Sequence, residues 1–174
     1  MKDIRFEIGQ NVIYGTNGLC RVEDVREMSF ITGEAKKSYY ILEPIRTKAS
    51  TIFVPMDNEK LVSRIRTVMT KAEIDELLLG MSDKELGWES DRRARADIFH
   101  DIITKGVTEN LLLLIRCIYI KKKELLSLNK SLSMTDSKSL EFAEKMVEEE
   151  FSYALDIKPA EVGDYIRKTI GVKE

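Results

Sequence analysis

The hydrophobic period of this chain changes once, near residue 66, and that change limits the fold more than any single motif. Before it, short β-branched and aromatic runs alternate with turn residues, as half-buried strands do. Val12-Ile13-Tyr14 is the first such run, and Gly15-Thr16-Asn17-Gly18 after it supplies the positive φ that a tight hairpin turn needs. The next strand leads from Leu19 towards Phe30. Cys20 and Val22 share one parity in it and Val25 has the other, so a bulge or sharp bend is predicted near Glu23-Asp24. Thr32-Gly33-Glu34 is a turn, Tyr39 to Leu42 a third strand closed by Pro44, and Thr51-Ile52-Phe53-Val54 a fourth stopped by Pro55. A single helical turn is predicted within Asp57 to Val62, before a last strand at Ile65-Arg66. Five short strands with tight turns in so small a segment predict a sheet closed on itself, an SH3- or Tudor-like β-barrel over residues 1–66.

From Thr70 onward the period is helical. Thr70-x-x-Glu73 has the form of a capping box, with Ile74, Leu77 and Leu78 on one face and Gly80 as a stop. Ser82-x-x-Glu85 predicts a second short helical turn ending at Gly87. A helix is predicted from Glu89 to Lys105, with Ala96, Phe99, Ile102 and Ile103 inside and Gly106 at its end. Thr108 is read as the cap of a long helix through Leu126. Leu128 to Met134 is read as a loop, and Leu140, Ala143, Met146, Val147, Phe151 and Leu155 as the buried stripe of the next helix. Pro159 suits the first position of a last helix. The fold class is therefore α+β in two domains, a small five-stranded barrel over 1–66 and an all-α domain over 67–174.

Charge narrows the partners. The net charge is −2 and the isoelectric point about 5.7, which argues against indiscriminate nucleic-acid binding by the whole surface. Residues 88–123 nevertheless form a basic island of net +3, flanked by acidic stretches. Met1 to Arg5 lacks the apolar segment of a signal peptide, and the longest apolar run, Leu111 to Ile115, is far short of the roughly 20 residues of a membrane span. A cytoplasmic location without membrane partners is expected, with Cys20 and Cys117 as free buried thiols.

Chemistry is sparse. The only histidine, His100, has Asp97 and Asp101 for neighbours, but no second histidine and no cysteine stands at metal spacing. No phosphate-binding glycine loop or nucleophile elbow is present, and Glu148-Glu149-Glu150 reads as a solvated helix face. No enzyme activity, cofactor, metal or small-molecule substrate is expected. Trp88, the only tryptophan, precedes the cluster Arg92, Arg93 and Arg95. Two readings of it stand. It is a packing staple at a helix start, or an exposed aromatic that meets nucleic acid while the arginines hold phosphates. Lys121-Lys122-Lys123 reads first as a solvated surface and second as phosphate contacts.

The order Phe6-x-Ile8-Gly9-x-x-Val12-Ile13-Tyr14-Gly15-x-x-Gly18, then Gly33-Glu34, Tyr39 to Leu42 and Thr51-x-x-Val54-Pro55, resembles the CarD/CdnL family of bacterial transcription regulators. The same module resembles the polymerase-interacting domain of the transcription-repair coupling factor. Trp88, Arg92, Arg93, Arg95, Phe99 and Gly106, then Ile115 to Tyr119 and Glu149-Glu150-Phe151, resemble the helical domain of CarD proteins. The resemblance implies that the first domain binds the β subunit of RNA polymerase through a sheet edge, placed here at Thr51, Ile52, Phe53 and Val54. It implies that the second contacts promoter DNA upstream of the bubble through Trp88, Arg92, Arg93 and Arg95, weakly and only with polymerase, and so stabilises the open complex. The alternative is an interaction module that binds polymerase or another partner without touching DNA.

Overall fold

The computed structural model describes residues 5–47 and 50–171. The stretch Met1 to Ile4, read above for a signal segment, lies outside them. The chain forms two compact units, Met1–Val68 and Met69–Glu174.

In the first unit, β1 (Asn11–Tyr14), β2 (Leu19–Met28), β3 (Lys37–Pro44), β4 (Ile52–Pro55) and β5 (Ile65–Thr67) form one antiparallel sheet in the order β4-β3-β2-β1-β5. Gly18 joins β1 to β2 at φ 68° and ψ −140°, a conformation open to glycine alone. The predicted bulge is present. Val22 pairs with Leu42 and Asp24 with Ile41, leaving Glu23 opposite no residue of β3. The bulge keeps Cys20, Val22 and Val25 on the face that packs with Phe6, Val12, Tyr14, Tyr40, Leu42 and Val54.

The expectation of a barrel is corrected. The sheet is open: β4 pairs with β3 alone and β5 with β1 alone. The chain between these two edges supplies a helical turn, α1 (Glu59–Val62), capped by the Asn58 side chain. Its backbone groups bond locally, Val62 N–H to Asn58 and Ser63 N–H to Glu59, and so are not offered to a ladder. Met56 and Val62 fill the core on that side. The fourth strand also begins at Ile52, one residue later than its pattern suggested.

The second unit is helical: α2 (Lys71–Leu79), α3 (Arg92–Lys105), α4 (Thr108–Ser127), α5 (Met134–Leu155) and α6 (Pro159–Ile170). The Thr70–Glu73 capping box forms in both directions, and Gly106 ends α3 in the left-handed region at φ 64°. The core gathers Ile74, Leu78, Phe99, Leu114, Ile118, Ala143, Val147, Phe151 and Val162. Ser82 to Gly87 is not a helical turn. The chain turns at Met81 to Asp83 and then runs irregularly to Ser90, and the Ser82 hydroxyl donates to Asp83 rather than serving as a cap. The next helix starts at Arg92 rather than Glu89, with Asp91 accepting the Ala94 N–H as its cap. Thr108 sits inside α4, which Val107 precedes. Its hydroxyl donates instead to Glu150, which is 2 % exposed and also accepts the Met69 N–H at 3.2 Å. Glu150 thus belongs to the interior and not to a solvated face.

Candidate protein-docking edge and nucleic-acid interface

In the first unit β4 reads Ile-Phe-Val-Pro, with no charge along it, and no described strand pairs with its outer side. Edges of this kind are normally blunted by charge. The opposite edge, β5, carries Arg66. Strand alternation divides the expected contact residues. Val54, opposite Tyr40, is fully buried and Ile52, opposite Leu42, packs on the core, whereas Phe53 and Thr51 are exposed. Phe53 is not alone there. Its ring meets Phe30 edge-on at 5.2 Å, and Phe30 meets Tyr39 at 5.3 Å. Phe30 and its neighbour Ile31 are 62 % and 59 % exposed. Sequence reading left Phe30 out of the site. The signal was two large apolar residues placed directly before a glycine turn, where nothing in the core claims them.

In the second unit Trp88 lies in the irregular segment before α3 and is half-buried. It meets Phe99 of α3 edge-on at 6.1 Å and joins the rim of the helical core. Two cations stand over its ring, the Arg95 guanidinium at 4.3 Å and the Lys121 ammonium of α4 at 5.6 Å. Arg92 and Arg93 are exposed on the first turn of α3. The structure thus joins the basic start of α3 to the basic part of α4 around one aromatic ring.

Arg95 departs from the expectation that it faces DNA. It is 7 % exposed, and its Nε and Nη2 donate to the two carboxylate oxygens of Asp136, each at 3.0 Å. Its Nη1 donates to the carbonyls of Glu89 at 2.8 Å and Ser90 at 3.4 Å. Asp136 also accepts the Ser133 hydroxyl at 2.6 Å. Burial pushes the Asp136 carboxyl up, but the hydrogen bonds from Arg95 and Ser133 outweigh it and hold the group below its ordinary value. The same pairing with Asp136 raises Arg95 further still.

The remaining candidates for chemistry are quiet. His100 is exposed, with Thr104 Oγ1 3.4 Å from its Nε2. Among the described residues no group of three or more His, Cys, Asp or Glu is placed to hold a metal ion. Cys20 and Cys117 are buried thiols, and burial pushes the Cys117 thiol up. No described helix is long and apolar enough to cross a membrane.

No curated protein matches the chain. Residues 6–67, the whole of the open sheet with its uncharged β4 edge, match the CarD-like/TRCF RID domain.

Proposed function

We propose that this protein is a bacterial transcription regulator that docks on the β subunit of RNA polymerase through β4 and brings its helical unit to promoter DNA upstream of the bubble, stabilising the open complex. The observation that carries the reading is the uncharged, one-sided β4 edge with Phe53, Phe30 and Tyr39 beside it, in a stretch that matches the CarD-like/TRCF RID domain. Added strands gain affinity from main-chain hydrogen bonds and specificity from side chains that meet alternate positions. Here the backbone of Ile52 to Pro55 supplies the first and Thr51, Phe53 and Phe30 the second.

Phe53→Asp in the full chain is expected to weaken capture of purified β subunit by roughly 30-fold, the effect of losing about 2 kcal/mol at an aromatic anchor. The melting temperature is expected to stay close to that of the parent, because Phe53 is exposed. Normal capture by the folded variant overturns the edge as the contact.

The DNA side of the reading rests on Trp88 with Lys121 over its ring, on Arg92 and Arg93 exposed in the first turn of α3, and on the basic island of net +3. So small an island cannot hold duplex DNA alone. On a random duplex at physiological salt the dissociation constant is expected to be no better than roughly 10⁻⁴ to 10⁻⁶ M by fluorescence anisotropy. Docked on polymerase, the same contacts act at an effective concentration of about millimolar. Arg92→Glu and Arg93→Glu are each expected to shorten open-complex lifetime, and each lost phosphate contact to lower the logarithmic salt slope by about 0.9. One observation favours the second reading, binding to polymerase without DNA contact: the guanidinium of Arg95 is already committed to Asp136. Intact capture with unchanged lifetimes in both arginine variants selects that reading.

A further inference from the structure

We propose that the buried pair Arg95–Asp136 is a positioning device that fixes the ring of Trp88, and the backbone that follows it, at the nucleic-acid interface. The proposal deepens the DNA reading above and rests on it for its consequence at promoters, although the positioning itself is a property of the free protein.

Trp88 lies in a segment with no helix or strand to hold it. Phe99 meets one side of its ring and Lys121 stands over it, but one side chain holds both the ring and the backbone that follows. Arg95 covers the indole at 4.3 Å and, through Nη1, binds the carbonyls of the two residues that follow Trp88. The opposite side of the same guanidinium is fixed as a two-toothed fork on Asp136, in the first turn of α5. Asp136 is in turn set by the α5 cap, where Ser133 both donates its hydroxyl to the Asp136 carboxylate and accepts the Asp136 N–H. A continuous chain of contacts therefore runs from the start of α5 through Asp136 and Arg95 to Trp88. Only arginine does all of this at once. A planar guanidinium stacks with its face while its edge donates in fixed directions, whereas a lysine ammonium is a point charge that makes neither the fork nor the stack. Packing alone does not explain the arrangement, because an aliphatic side chain in place of Arg95 covers the ring equally well and needs no buried carboxylate.

Trp88 is the only tryptophan, so intrinsic fluorescence reads its position without a label. In the full chain, Asp136→Asn and Arg95→Lys are each expected to shift Trp88 emission to the red and to raise its quenching by acrylamide, with the helical circular dichroism of the parent retained. Ser133→Ala, a milder change that leaves the fork in place, is expected to give a smaller shift in the same direction. It supplies the reading if either stronger variant fails to fold. On promoters, Asp136→Asn is expected to shorten open-complex lifetime by as much as Trp88→Ala does, and the double variant by no more than either. Folded variants whose Trp88 emission and quenching match the parent overturn the proposal, as does a double variant in which the two losses add in full. If Trp88→Ala itself leaves the lifetime unchanged, the DNA reading fails and the fluorescence arm still decides the positioning.

Discussion

Asp136→Ala is expected to lower the unfolding free energy of the helical unit by about 3–5 kcal/mol, because it leaves Arg95 as an uncompensated charge at a site only 7 % exposed. The pair does not stabilise the fold by that amount. Replacing both partners with apolar residues of similar volume, Arg95→Met with Asp136→Leu, is expected to be close to neutral, since the desolvation of two charges offsets most of their attraction. The contrast between single and double variants, measured by urea denaturation, separates a pair that stabilises from one that merely must not be broken. The single variant also carries a pH signature. The Asp136 carboxyl is held below its ordinary value, so the folded state binds its proton less readily than the unfolded state. Its contribution is complete above the unfolded value of about 3.9 and is lost as pH falls through the lower folded value. The gap between parent and Asp136→Ala is therefore expected to be widest near neutrality and to narrow below about pH 4. A gap that is constant with pH rules out the ion pair as its source.

Phe151→Ala is expected to cost the helical unit about 3–5 kcal/mol, the usual range for a buried ring removed from a core. Phe151 is wholly buried on α5, among residues of α2, α3, α4 and α6. At roughly 4–8 °C per kcal/mol for a domain near this size, the helical transition falls by more than about ten degrees. The sheet unit has its own core, built on Tyr40, Leu42, Val12, Val22 and Val54, and shares no core residue with the helical one. Calorimetry is expected to show the helical transition displaced and the sheet transition where it was. Above the first transition, capture of polymerase is expected to persist while the effect on open complexes is lost. Joint displacement of both transitions contradicts independent unfolding of the two units.

What was legible in the sequence was local. The Thr70 capping box, the parity slip at Glu23, the turn at Gly18 and Pro159 at the start of α6 each follow from a few neighbouring residues, and each is present. The failures with the widest consequences depended on distant partners. Closure into a barrel requires β4 to pair with β5, and no local pattern reports whether it does. Thr108 and Glu150 looked like a cap and a solvated acid because the partner of each lies 42 residues away. Arg95 is the instructive case. Its partner Asp136 is 41 residues distant, yet Arg95, Phe99 and Ile102 lie at helical spacing on one stripe. An arginine in register with an apolar stripe is a sign that a carboxylate waits inside.

The bulge in β2 has an effect out of proportion to its size. Glu23 is the one residue between Leu19 and Met28 that the register skips, and beyond it β2 still pairs with β3 down to Met28 opposite Lys37. Take Glu23 away and the ladder closes without a flaw: Val22 stays with Leu42, Asp24 with Ile41 and Val25 with Tyr40, every core side chain on its proper face. Only the bend and extra twist that a bulge adds to its strand disappear. That bend sets the direction in which the far end of the hairpin leaves the sheet, and the far end carries Phe30, whose ring leans on Phe53. A glutamate that the strand register skips, and that contributes nothing to the core, therefore aims the aromatic surface beside β4, and a one-residue deletion there changes the aim and leaves the pairing whole.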